Sequence, residues 1–190
     1  MSHVVYSIDS TVNGCCDAEQ VIADKEHHAY ATELTQSADA LLFGRNTFDL
    51  LEAFWPAAAE RTDLPHYMVQ FARAIRPVKK YVSSSRPLQT DWPNCILIAG
   101  DIRDNIQSLR ADNPGTIVIF GSPGLGHSLA AAGEVDEFHF LIQPIAAGGE
   151  PRLFKGLSAP IRWPLIDVKP FRSGVLLARY GRASAANEIG

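Results

Sequence analysis

Two apolar runs constrain this chain more than any other feature: Ala38 to Phe43, stopped by Gly44, and Thr116 to Phe120, stopped by Gly121. Neither alternates polar with apolar residues, as a strand with one wet face would, so each reads as a strand covered on both sides. Covering two faces takes two layers of helix. The remaining short apolar runs alternate with amphipathic stretches, the pattern of parallel strands joined by crossover helices.

The further strand signals are His3 to Asp9, Val78 to Ser83, Cys95 to Ala99, Val135 to Gln143, Leu165 to Pro170 and Gly174 to Tyr180, about eight in all. The last two form an expected antiparallel pair joined at Arg172-Ser173. Helices are expected over Lys25 to Ser37, Thr47 to Ala53 and His66 to Ile75, from Asp101, placed to cap, to about Ala111, and from the 121–124 turn to about Ala132. Ser10 to Asp24 reads as a long loop, and Phe54 to Pro65, with its prolines, as an irregular connection. The expectation is one α/β domain over residues 1–182, a mostly parallel three-layer fold, with 183–190 a poorly ordered tail.

A net charge of -4 and a pI near 5.8 offer no broad positive field for a phosphate backbone, so nucleic acid is not an expected partner. No apolar run is long enough to cross a membrane, and the first residues show no secretory leader, which predicts a cytoplasmic protein. Cys15, Cys16 and Cys95 are odd in number and lack C-x-x-C spacing, so neither a disulfide framework nor a metal site is expected.

In an open parallel sheet, ligands gather beyond the C-terminal strand ends, where helix N-termini leave N–H groups unpaired. Three segments reach that edge. Gly44-Arg45-Asn46-Thr47 combines a glycine for a sharp exit, a guanidinium able to grip phosphate, and a hydroxyl that either caps the helix or meets an oxyanion. Ser83-Ser84-Ser85-Arg86 offers hydroxyls and a second guanidinium, and reads equally as a polar turn before Pro87. Gly121-Ser122-Pro123-Gly124 lets a pyrophosphate approach the backbone. Asp9, at the end of the first strand, is either a reactive carboxylate or a cap for the following loop. The His27-His28 pair is either a proton carrier or an exposed pair without a task.

In order and spacing, Ser7-Ile8-Asp9, Leu41 to Phe48, Val82 to Pro87, Ile117 to Ser122 and Gly133-Glu134-Val135-Asp136-Glu137, followed by Gln143-Pro144 and Gly148 to Phe154, resemble the dihydrofolate reductase superfamily. Within it, the chain is most similar to the branch holding the C-terminal reductase domain of the riboflavin-biosynthesis deaminase/reductase. That resemblance implies NADPH, with Gly44, Arg45, Asn46 and Thr47, then Ser84, Ser85 and Arg86, then Gly121, Ser122 and Gly124 as its contacts. It implies hydride transfer to a small heterocyclic or carbonyl substrate, with Asp9 or His28 near the reacting end. It also implies a homodimer, which strand 138–142 would serve by burying an edge or a face. Ser122 stands where the family turn usually carries glycine, which predicts a side chain between backbone and cofactor. Counting back from Gly44 brings the helix carboxylate of the folate enzymes close to His28, with no acid there, so folate is not the expected substrate. The alternative is a non-catalytic ligand-binding or interaction protein on the same fold.

Overall fold

The computed structural model describes residues 2–182, and the expected tail lies outside them. Eight strands form one sheet in the order β4-β3-β2-β5-β1-β6-β8-β7. In chain order they are β1 (His3–Thr11), β2 (Ala40–Gly44), β3 (Lys79–Ser83), β4 (Cys95–Ile98), β5 (Thr116–Phe120), β6 (Glu137–Gln143), β7 (Leu165–Pro170) and β8 (Leu176–Gly181). The six strands from β4 to β6 pair in parallel, and β8 runs antiparallel to both β6 and β7. The two apolar runs lie side by side in the interior of the sheet, Leu41 opposite Val118 and Leu42 opposite Ile119.

Strand alternation divides the core. Val4, Tyr6 and Ile8 of β1, with Leu42, Ile117 and Ile119, pack under α5 (Ile102–Asp112) and α6 (Pro123–Ala131). Val5, Leu41, Phe43, Val82 and Val118 face the other way, under α1 (Lys25–Gln36), α2 (Arg45–Glu52) and α4 (His66–Ile75). The tight contact of α6 with β1 depends on Gly126, where an added Cβ would lie 2.1 Å from the buried Tyr6 ring. Asp24 starts α1 by accepting from the His27 N–H at 2.9 Å.

Three expectations are corrected. β1 runs on to Thr11, because Ser10 and Thr11 are buried and ladder with Ile142 and Gln143 despite their polarity. The 54–65 connection holds a short helix, α3 (Trp55–Ala58), in which Pro56 stands in the first turn, where its missing N–H costs nothing. Residues 138–142 are no edge: β6 lies between β1 and β8, and the edge on that side is β7.

Candidate active site

The three segments singled out at strand ends are neighbours in space. β3, β2 and β5 are consecutive in the sheet, so Ser83–Arg86, Gly44–Thr47 and Gly121–Gly124 leave it along one edge. Two of them interlock. The Gly44 N–H donates to Ser122 Oγ at 2.8 Å, and the Ser122 N–H donates to Thr47 Oγ1 at 3.0 Å. Gly44 is extended, not sharply turned, and its smallness serves the contact: an added Cβ would meet Ser122 Cβ at 3.3 Å. Gly121 and Ser122 are both left-handed, with φ of 56° and 55°. This turn aims the Ser122 side chain into the protein at Gly44, so the expected obstruction between backbone and ligand does not arise. Gly124 is exposed, with nothing within 4 Å of where its Cβ would stand.

α2 and α6 therefore begin side by side, and neither has a side-chain cap. Their first-turn N–H groups and the positive ends of their dipoles point to the same edge. Arg45 is committed in part, its Nε donating to Asp49 Oδ1 at 2.6 Å and its Nη1 to the Pro87 carbonyl at 2.9 Å. Arg86 is exposed and approaches the other Asp49 oxygen at 3.6 Å. Ser84 Oγ accepts from the Arg86 N–H at 3.0 Å, so this hydroxyl serves its own turn, while Asn46 and Ser85 are exposed.

On the α1 side of the sheet, Asp9 lies two strands from Gly44. Its carboxylate takes hydrogen bonds from Gln143 Nε2 of β6 at 2.7 Å and from His27 Nε2 at 3.1 and 3.2 Å. His27, not His28, thus reaches Asp9, and both imidazoles are largely buried rather than exposed. Burial pulls the His27 pKa down, but the hydrogen bond and charge of Asp9, helped by Asp24, outweigh it and hold the imidazole above its usual value. His28 sits among Trp55, Tyr67 and Phe71 and donates from Nδ1 to the Asp24 carbonyl at 2.9 Å, which leaves Nε2 as the bare nitrogen. Burial lowers the His28 pKa, which favours the neutral ring.

Behind Asp9, on the same face of β1, lies a polar chain that sequence reasoning missed. Ser7 Oγ and Tyr30 OH are 2.8 Å apart, Tyr30 OH lies 2.8 Å from His139 Nδ1, and His139 Nε2 lies 2.7 Å from Glu137 Oε1, which also binds Arg179. The signal was present as spacing. His27 and Tyr30 stand three apart on one helix face, and Glu137 and His139 alternate along one strand.

The sequence profile of the RibD C-terminal domain matches residues 1–177. The chain belongs to that family. Among curated proteins it is 28% identical over 150 residues to the uncharacterized protein YyaP of Bacillus subtilis, covering 78% of this chain and 77% of that one. Among solved structures, a pyrimidine reductase-like protein from Corynebacterium diphtheriae superposes with a TM-score of 0.71 at 18% identity, over 96% of this chain and 92% of that one. Dihydrofolate reductase from Enterococcus faecalis, complexed with NADP(H), superposes with a TM-score of 0.65 at 14% identity, over 96% and 97%. These structural likenesses show the fold, a dihydrofolate reductase-like sheet. No helix among the described residues is long and apolar enough to cross a membrane.

Proposed function

We propose that this RibD-family chain is an NADPH-dependent reductase that delivers a hydride to a small heterocyclic or carbonyl substrate. The observation that carries the reading is the pair of uncapped helix N-termini, α2 and α6, meeting at adjacent strand ends around small residues. Such an edge fits a pyrophosphate. The Gly44 and Ser122 N–H groups are already paired, so the donors left for it are the first-turn N–H groups beyond them; Gly124 leaves room, and Arg45 and Arg86 supply positive charge despite the net charge of -4. In this reading Gly44, Arg45, Asn46 and Thr47 with Gly121, Ser122 and Gly124 hold the phosphates, and Ser84, Ser85 and Arg86 hold the 2′-phosphate side.

NADPH, when bound, supplies the hydride. The chain supplies orientation and a proton. Asp9 fixes the His27 ring through Nε2 and raises its pKa, which sets a hydrogen-bonded Asp9–His27 pair beside the end of β1. Gln143 keeps the Asp9 carboxylate turned toward the ring. His28, held toward its neutral form and enclosed by aromatic rings, shapes the wall on the far side of His27. The reading includes a homodimer.

Titration calorimetry with NADPH and NADH tests the cofactor. NADPH is expected to bind more tightly, and Arg45→Ala to weaken it roughly 10- to 150-fold, the worth of one charge-assisted contact. NADH should lose less. One observation favours the second reading, a non-catalytic binding protein: Arg45 and Ser84 already have partners within the chain. Equal affinities for the two cofactors, untouched by Arg45→Ala, would mean that the serine and arginine residues are ordinary turn chemistry and would remove the main physical support for the enzyme.

A further inference from the structure

On the face of the sheet that α5 and α6 cover, the cover changes at β6. No helix follows there: the chain between Gln143 and Leu165 is coil with turns, and it lays Phe154 and Trp163 against Phe140 of β6. Under this coil opens a cavity of about 480 Å³, walled by Phe140, Phe154, Ile161, Trp163 and Tyr180 and reached from β1 by Ser10. Ordinary small-molecule sites hold about 300 to 1,000 Å³. Because β1 alternates, Ser10 turns away from Asp9 and the α1 side, onto the face that carries its ladder partner Ile142.

Ser10 marks the cavity as a site. It is only 6% exposed, and its hydroxyl has no hydrogen-bond partner among the described residues, although Thr11 Oγ1 beside it has two. A buried hydroxyl left unpaired is unfavourable, and a ligand atom that pairs with it removes that penalty. The Trp163 indole N–H and the Tyr180 hydroxyl line the same cavity, are likewise unpartnered among the described residues, and are not sealed off. No charged side chain lines the wall, so a charged occupant would lose its hydration with no counter-ion in return. The rings stand at mixed angles, Phe140 edge-on to Phe154 at 6.1 Å and Trp163 tilted against Phe154 at 5.4 Å. A flat ring entering among them meets a face or an edge on each side.

We infer that this cavity is a second ligand site, for a neutral, planar heteroaromatic molecule of two or three fused rings that accepts a hydrogen bond from Ser10. It lies across the sheet from Asp9 and His27 and needs neither that pair nor NADPH.

The test is a titration of the isotope-labelled full-length protein with quinoline, a flat neutral ring with one acceptor, read at the three tryptophan indole N–H signals. Trp163→Phe assigns the signal that belongs to the cavity. Quinoline should shift that signal saturably and leave the signal of Trp92, buried on the other face, unmoved. Ser10→Ala should weaken quinoline roughly 2- to 12-fold, the worth of one neutral hydrogen bond, and leave naphthalene, the same shape without the acceptor, unchanged. Ile161→Phe narrows the cavity from the coil and should abolish binding of both, an arm that stands even if Ser10→Ala fails to fold. Saturating NADPH should not displace quinoline. No saturable shift, or equal weakening of quinoline and naphthalene by Ser10→Ala, would overturn the site. Displacement by NADPH would assign the cavity to the cofactor instead, and a Trp163 signal that moves on protein dilution but not with quinoline would assign it to a second copy of the chain.

Discussion

Residue positions that look alike in the sequence differ sharply in consequence. His27 and His28 are adjacent, yet the helix turns one onto Asp9 and the other into an aromatic box; a helical rotation of about 100° per residue decides it. The sequence showed both residues and not the rotation, because two of the four buried positions of α1, His28 and Thr35, are polar, so hydrophobic periodicity marks its inner face poorly. The Asp9–His27 pair predicts a pH signature. His27 is raised above its unfolded value of 6.5, so the pair stabilises fully below that pH and the contribution is lost as pH rises through the higher folded value. Urea unfolding should show Asp9→Asn costing about 1 kcal/mol near pH 6 and clearly less near pH 8. A difference independent of pH would count against a charged pair. Lys80 was equally hidden within a strand of mixed character. It is fully buried, and its Nζ donates to the carbonyls of Arg76, Val78 and Pro93 at 3.1, 2.8 and 3.1 Å. Lys80→Met keeps the volume and orphans three acceptors, so chemical denaturation should register a loss of about 3 kcal/mol or more.

Elements were legible where local chemistry and tertiary demand agree. β2 from Ala40 to Phe43 and β5 from Ile117 to Phe120 are apolar and run into glycine, and α4 and α5 carry their own start signals, Pro65 and Asp101. Legibility failed where burial overrides composition. Ser10 and Thr11 read as loop, yet they extend β1, because β6 offers them a ladder and Thr11 Oγ1 finds Asn13 and the Cys15 N–H as partners. The turn at Gly121-Ser122 was found by its small residues, but the direction of the Ser122 side chain follows from a left-handed backbone that the sequence does not print. Gly126 makes the packing of α6 on β1 a single-atom matter. Gly126→Ala drives a methyl into a ring with nowhere to go and should destabilise by about 3 kcal/mol, at or above the usual cost of overpacking. A thermal melt unchanged from wild type would show that α6 can slide.

At the scale of the whole molecule, the fold sets three turns along one edge and leaves two helix N-termini uncapped, and the cofactor reading rests on that edge being built for phosphate. Gly124 isolates the question. An aspartate there meets no neighbour and sits in the first turn of α6, where a carboxylate favours the helix dipole, so Gly124→Asp should fold at least as well as wild type. The same carboxylate would oppose a bound pyrophosphate. The decisive measurement is the shift in melting temperature on adding NADPH to wild type and to Gly124→Asp. At ~100 times its dissociation constant a ligand adds about 2.7 kcal/mol, or roughly 5 to 10 °C for a chain of this size. The account predicts that shift in wild type and its loss in Gly124→Asp, with the ligand-free melts matched or the variant slightly higher. No shift in wild type, or an equal shift in both proteins, would contradict it.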